Sequence, residues 1–137
     1  MNITSSTEYL GGLRARSTHQ RSGNTIITDA PPDNNGKGEA FSPTDLTATS
    51  LVTCMITVMG IAAEKSDLDF GKVSGNVEKI MEDNPRRIVG LNVEIQFSGN
   101  ELPQTKKDFL EKIALNCPVA KSLHPDIIQN VRFVYNK

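Results

Sequence analysis

Eighteen consecutive residues, Leu46 to Ala63 (LTATSLVTCMITVMGIAA), carry no charge. That run is near the minimum length for a membrane span. Five hydroxyl residues interrupt it: Thr47, Thr49, Ser50, Thr53 and Thr57. The better reading is a helix buried in a water-soluble protein. Ser42-Pro43-Thr44-Asp45 sets its start, with Ser at the cap, Pro in the first helical position and an acid at the third. The helix then runs to about Ser66. Leu46, Leu51, Val52, Met55, Ile56, Val58, Met59 and Ile61 surround nearly its whole circumference. A helix apolar all round must be wrapped by other elements or by a second subunit.

The rest of the chain supplies wrapping material. Glu8 to Thr18 reads as a first strand and Asn24 to Thr28 as a second, with a turn between them. Ala30–Ala40 (APPDNNGKGEA) is an exposed loop by its Pro, Gly and Asn content. Val73–Met81 alternates weakly, Ile88–Ser98 alternates well, and Glu82-Asp83-Asn84-Pro85 turns between them. A second helix starts at Pro103 and places Phe109, Leu110, Ile113, Ala114 and Cys117 on one face. Pro118 stops it near Asn116. A helical turn at Pro118–Leu123 and a closing strand at Ile127–Tyr135 follow. This order predicts an α+β fold with mostly antiparallel pairing. The length, 137 residues, fits one domain spanning 1–137.

Composition narrows the function classes. Lys plus Arg is 15 and Asp plus Glu is 16, for a net charge of -1. No basic run exceeds a pair, which argues against nucleic acid or an anionic membrane as partner. The N-terminus lacks the basic and apolar regions of a signal peptide. A cytoplasmic location is expected, and there Cys54 and Cys117 stay reduced unless they turn over. The two histidines, His19 and His124, do not make a zinc spacing with the cysteines, so neither metal nor cofactor is expected. His19 reads as a turn residue and His124 as a capping or packing residue.

Two cysteines that converge in space suffice for peroxide chemistry. A thiolate attacks a peroxide oxygen and becomes a sulfenic acid, which a second thiol condenses to a disulfide. Mid-helix, Cys54 gains nothing from the helix dipole and needs a positive group brought to it. Cys117 stands where an N-cap would, before Pro118, with free backbone N–H groups ahead of it.

The segments FSPTDLTATSLVTCM around Cys54 and NCPVAKSLHP around Cys117 resemble the OsmC/Ohr family, the osmotically inducible and organic hydroperoxide resistance group. The likeness extends from about Tyr9 to Tyr135, on a branch distinct from the best-studied members. It implies an intertwined homodimer with two central helices packed back to back and the site at the subunit interface. It implies that Cys54 is the peroxidatic cysteine and Cys117 the resolving one. The substrate would be a small organic hydroperoxide and the reductant a dithiol, such as a lipoylated protein. An arginine from the N-terminal strand region would activate Cys54; Arg14 is preferred, with Arg16 close behind. The glutamate that usually holds this arginine falls at Thr44. Glu39 or Asp45 is then the substitute, and helical geometry assigns Asp45 to the helix start instead. Two other readings share the same fold: a binding module holding an apolar ligand at the dimer interface, and a redox sensor without turnover.

Overall fold

A computed structural model of the chain describes residues 1–136. It comprises two compact units, Met1–Leu46 and Thr47–Lys137. The long helix α1 (Pro43–Lys65) begins in the first and runs most of its length in the second.

The first unit is a three-stranded antiparallel sheet: β1 (Ser5–Gly11), β2 (Arg14–His19) and β3 (Thr25–Asp29), in the order β1-β2-β3. The single strand expected over Glu8–Thr18 is instead a hairpin. Gly11, Gly12 and Leu13 all have positive φ (84°, 62° and 63°), a conformation that the two glycines adopt at no steric cost. The Tyr9 hydroxyl accepts from the Leu13 N–H at 3.2 Å and steadies the turn. The β2–β3 turn closes through His19, whose N–H donates to the Asn24 carbonyl at 2.8 Å. The loop after β3 contains one 3-10 turn, Pro32–Asn34.

At the start of α1 the expected capping box is present. The Ser42 N–H donates to Asp45 Oδ2 at 3.0 Å, and the Asp45 N–H donates to Ser42 Oγ at 3.1 Å. Two of the orphan amides of the helix start are thereby satisfied. No apolar side chain of this unit is buried; every one that is lies in the second unit.

That second unit packs α1 against a three-stranded sheet, β4 (Lys72–Glu82), β5 (Arg87–Ser98) and β6 (Ile128–Tyr135), in the order β4-β5-β6. β4 and β5 are antiparallel, whereas β5 and β6 are parallel. Parallel strands need a crossover, here supplied by α2 (Gln104–Leu115) and α3 (Pro118–Ser122). Along β5 the period of two puts Leu91, Val93, Ile95 and Phe97 inward, against Leu51, Met55 and Met59 of α1 and Leu110 and Ala114 of α2. Gly75 of β4 sits under α1: a Cβ there would come within 2.5 Å of Val52 Cγ2.

Helix α1 is long and apolar enough to cross a membrane by length and composition, yet Leu51, Met55 and Met59 are fully buried in the core of the unit. Two of its hydroxyls turn back on the backbone. Ser50 Oγ donates to the Thr47 carbonyl at 2.6 Å, and Thr53 Oγ1 to the Ser50 carbonyl at 3.1 Å, so they leave no unmet polar group on an apolar helix. The expected all-round burial is one-sided within this chain. Thr53, Thr57 and Ile61 remain exposed, and Cys54 and Val58 are half-buried between the two faces.

Candidate active site

Cys54 and Cys117, far apart in sequence, meet in the second unit. Cys54 is carried by the middle of α1 and packs against the core that buries Cys117. Cys54 is near enough to act on the Cys117 thiol, and both thiols are free. Cys117 occupies the joint between two helices. After α2 the backbone turns extended at Cys117 (φ -65°, ψ 154°), and Pro118 starts α3 with its ring set at a helical φ. Cys117 is therefore the N-cap of α3, as its neighbour Pro118 predicts, and its Sγ accepts from the Ala120 N–H at 3.4 Å. The Ala120 carbonyl accepts from Gln129 Nε2 of β6 at 3.1 Å, which ties this turn to the sheet.

Burial pushes the Cys117 thiol upward, and its neighbour Cys54 adds to that rise; the Ala120 and Val119 amides pull the other way. Cys117 rests as a neutral thiol.

The charged candidates Arg14, Arg16, Glu39 and Asp45 all belong to the first unit. Arg14 and Asp29 are direct cross-strand partners on β2 and β3. Arg14 Nε donates to Asp29 Oδ1 at 2.7 Å and Nη2 to Asp29 Oδ2 at 2.9 Å, a two-pronged charged pair. Asp29 is only 1% exposed. Its Oδ2 also accepts from the Glu39 N–H at 3.1 Å. The Arg14 hydrogen bond holds the Asp29 carboxyl below its ordinary range against the opposing effect of burial, and Asp29 in turn raises the Arg14 guanidinium. The Glu39 side chain reaches Arg14 Nη2 at a looser 3.4 Å and is mostly exposed.

Asp29 is the residue that sequence reasoning misses. Reading Glu8–Thr18 as one strand conceals the hairpin, and without the hairpin the register that sets Asp29 opposite Arg14 cannot be drawn. The Gly11-Gly12 pair between two strand patterns is the signal that reveals it.

The other candidates separate cleanly. Arg16 pairs with its cross-strand partner Glu8, whose Oε1 accepts from Arg16 Nε at 3.0 Å. Asp45 serves the capping box. At Thr44 the hydroxyl stands 3.2 Å from Ser42 Oγ and joins the same helix start. His19, expected in a turn, is instead the last residue of β2, with its Nδ1 2.6 Å from Ser22 Oγ, and His124 caps a turn by accepting from the Asp126 N–H at 3.0 Å.

Comparison with known proteins agrees with this architecture. The OsmC-like protein family matches residues 36–131, and the chain belongs to that family. A crystal structure of a candidate osmotic stress induced and detoxification response protein of Psychrobacter arcticus 273-4 is 47% identical, with a TM-score of 0.92 over 97% of this chain and 96% of that one. The organic hydroperoxide resistance protein OsmC of Legionella pneumophila has the same fold at 18% identity (TM-score 0.73, 100% and 99% covered). So does the organic hydroperoxide resistance protein OhrB of Bacillus subtilis at 17% identity (TM-score 0.65, 99% and 100% covered). No curated protein matches the chain.

Proposed function

We propose that this protein is a cofactor-free thiol peroxidase for small organic hydroperoxides, with Cys54 as the attacking and Cys117 as the resolving residue. The observation that carries the reading is the meeting of two free thiols at the edge of an apolar core.

The Cys54 thiolate attacks the terminal oxygen of the hydroperoxide. The O–O bond breaks, Cys54 becomes a sulfenic acid, and the alkoxide takes a proton to leave as an alcohol. Cys117 then attacks the Cys54 sulfur. The S–S bond forms, and hydroxide leaves with the Cys117 proton as water. A dithiol, a lipoylated protein among the options, returns two electrons and two protons and is itself oxidised to a disulfide. Apolar surroundings favour an alkyl substrate over hydrogen peroxide.

The first step needs Cys54 as its thiolate, and an adjacent cation favours that form. Arg14 is the preferred donor of that charge, with Glu39 as one of its holders. Arg16, already paired with Glu8 on an exposed strand, is the lesser candidate.

The working form is a homodimer. Two observations support it. The sheet of the first unit exposes Tyr9, Leu10, Leu13 and Ile26, and an isolated three-stranded sheet without a buried face is marginal. Helix α1 leaves Ile61 half exposed, a residue type usually found inside. Its net charge of -1 supports a protein that works without nucleic-acid or membrane partners, and reduced cysteines that turn over suit a cytoplasmic setting.

The test is direct. Adding an alkyl hydroperoxide to the reduced protein should consume one equivalent per chain and yield a Cys54–Cys117 disulfide by peptide mass mapping. Oxidation without that disulfide contradicts the reading.

A further inference from the structure

The Arg14 guanidinium is held by two carboxylates that differ in kind. Asp29 is buried, bonded through both oxygens at 2.7 and 2.9 Å, and braced by a backbone amide at 3.1 Å. Its own backbone is fixed as well: the Asp29 N–H donates to the Phe41 carbonyl at 3.1 Å, across the base of the 30–40 loop. Glu39 is exposed and makes one long contact at 3.4 Å. Lys37 is the remaining charged side chain that acts on Asp29.

A buried charge pair is seldom the best structural filler, since apolar residues of similar volume often stabilise as much or more. Here the pair does something an apolar pair cannot. It spends Nε and one Nη2 hydrogen on Asp29 and leaves Nη1 without a partner among the described residues. The side chain is 29% exposed. A planar guanidinium gripped along one edge presents its other edge in a fixed direction.

We infer that Asp29 is the positioning residue for Arg14, fixing the guanidinium so that its Nη1 edge is free to receive an anion. Glu39 adds a second, weaker hold. This rests on the proposed function for the identity of the anion: the Cys54 thiolate or the developing alkoxide. It assigns the arginine-holding role to a strand residue rather than to the start of α1, where Ser42, Thr44 and Asp45 are engaged with one another.

Sign separates positioning from simple electrostatics. Removing a negative charge beside Arg14 strengthens the net positive field and should speed thiolate formation. Releasing Arg14 from its fixed direction should slow it. The experiment is alkylation of Cys54 by iodoacetamide at neutral pH in a Cys117→Ser background, so that one thiol reports.

Asp29→Asn is expected to slow alkylation about tenfold, the order an adjacent cation contributes to a thiolate. Combined with Arg14→Gln, it should slow it no further than Arg14→Gln alone. If Asp29→Asn does not fold, Asp29→Glu carries the same test, because it displaces the carboxylate by one methylene while keeping its charge. A rate equal to or above the parent overturns the inference. So does an equal slowing by Asp29→Asn in the Arg14→Gln background, which would mark a structural effect. Hydroperoxide turnover by the unaltered protein is measured in parallel: its absence counts against the peroxidase reading alone, and the alkylation cycle still decides the role of Asp29.

Discussion

Cys117 caps α3 with its sulfur and, through the same sulfur, interacts with Cys54 on α1. The Cys117 sulfur, to which the proposal gives the resolving role, is thus held at the start of α3. Trapping experiments should expose this division of labour. In Cys117→Ser protein treated with an alkyl hydroperoxide, a sulfenic acid should accumulate on Cys54 and react with dimedone. The unaltered protein should give little adduct and mainly disulfide. Dimedone on residue 54 to equal extent in both proteins would contradict the resolving role of Cys117.

Glu39 and Asp45 are the two carboxylates that sequence offers as holders of the arginine. The structure gives Glu39 a contact with Arg14 and gives Asp45 a capping box. Glu39→Gln should lower hydroperoxide turnover severalfold. Asp45→Asn should leave turnover near the parent value and lower stability by about 1 kcal/mol, the usual scale of a lost cap. Equal activities in steady-state assays would remove Glu39 from the site.

Acid should weaken the first unit through Asp29. Its carboxyl is depressed in the folded state, chiefly by the Arg14 hydrogen bond. A depressed carboxylate contributes stability that is fully present above its unfolded value, about 3.9, and is lost as pH falls through the lower folded value. The thermal midpoint of the parent should therefore fall more steeply than that of Asp29→Asn between about pH 5 and about pH 2. Parallel slopes would show that the pair contributes nothing to acid sensitivity.

The exposed side of α1 predicts assembly. The chain mass is 15.0 kDa, and light scattering should report twice that value. Ile61→Glu places a charge on the apolar face and should return the particle to a single chain, since an unpaired charge buried at an interface costs several kcal/mol. A monomeric parent, or a variant that remains dimeric, would assign that face to solvent.

Much of this architecture is legible in sequence because it rests on local rules. The capping box at Ser42 and Asp45 and the alternation of β5 are each written within a few residues. So is the placement of Cys117 before Pro118. What escapes is register. Arg14 and Asp29 become partners only after Gly11-Gly12-Leu13 reverses the chain and β2 pairs with β3. Nothing local marks Asp29 as buried; an Asp before Ala-Pro-Pro reads as the start of a loop. The parallel pairing of β6 with β5 is a second non-local fact, set by the length of the α2–α3 crossover rather than by either strand. The one-sided burial of α1 is a third, since the apolar pattern does not say which side the rest of the chain covers.

The most direct test of the two-cysteine site is consumption of an alkyl hydroperoxide in the presence of a dithiol reductant, comparing the parent with Cys54→Ser and Cys117→Ser. The parent should turn over repeatedly. Cys54→Ser should fall to the uncatalysed background, and Cys117→Ser should consume about one equivalent per chain and then stall or slow sharply. Full turnover by Cys54→Ser would contradict the peroxidase account at its centre.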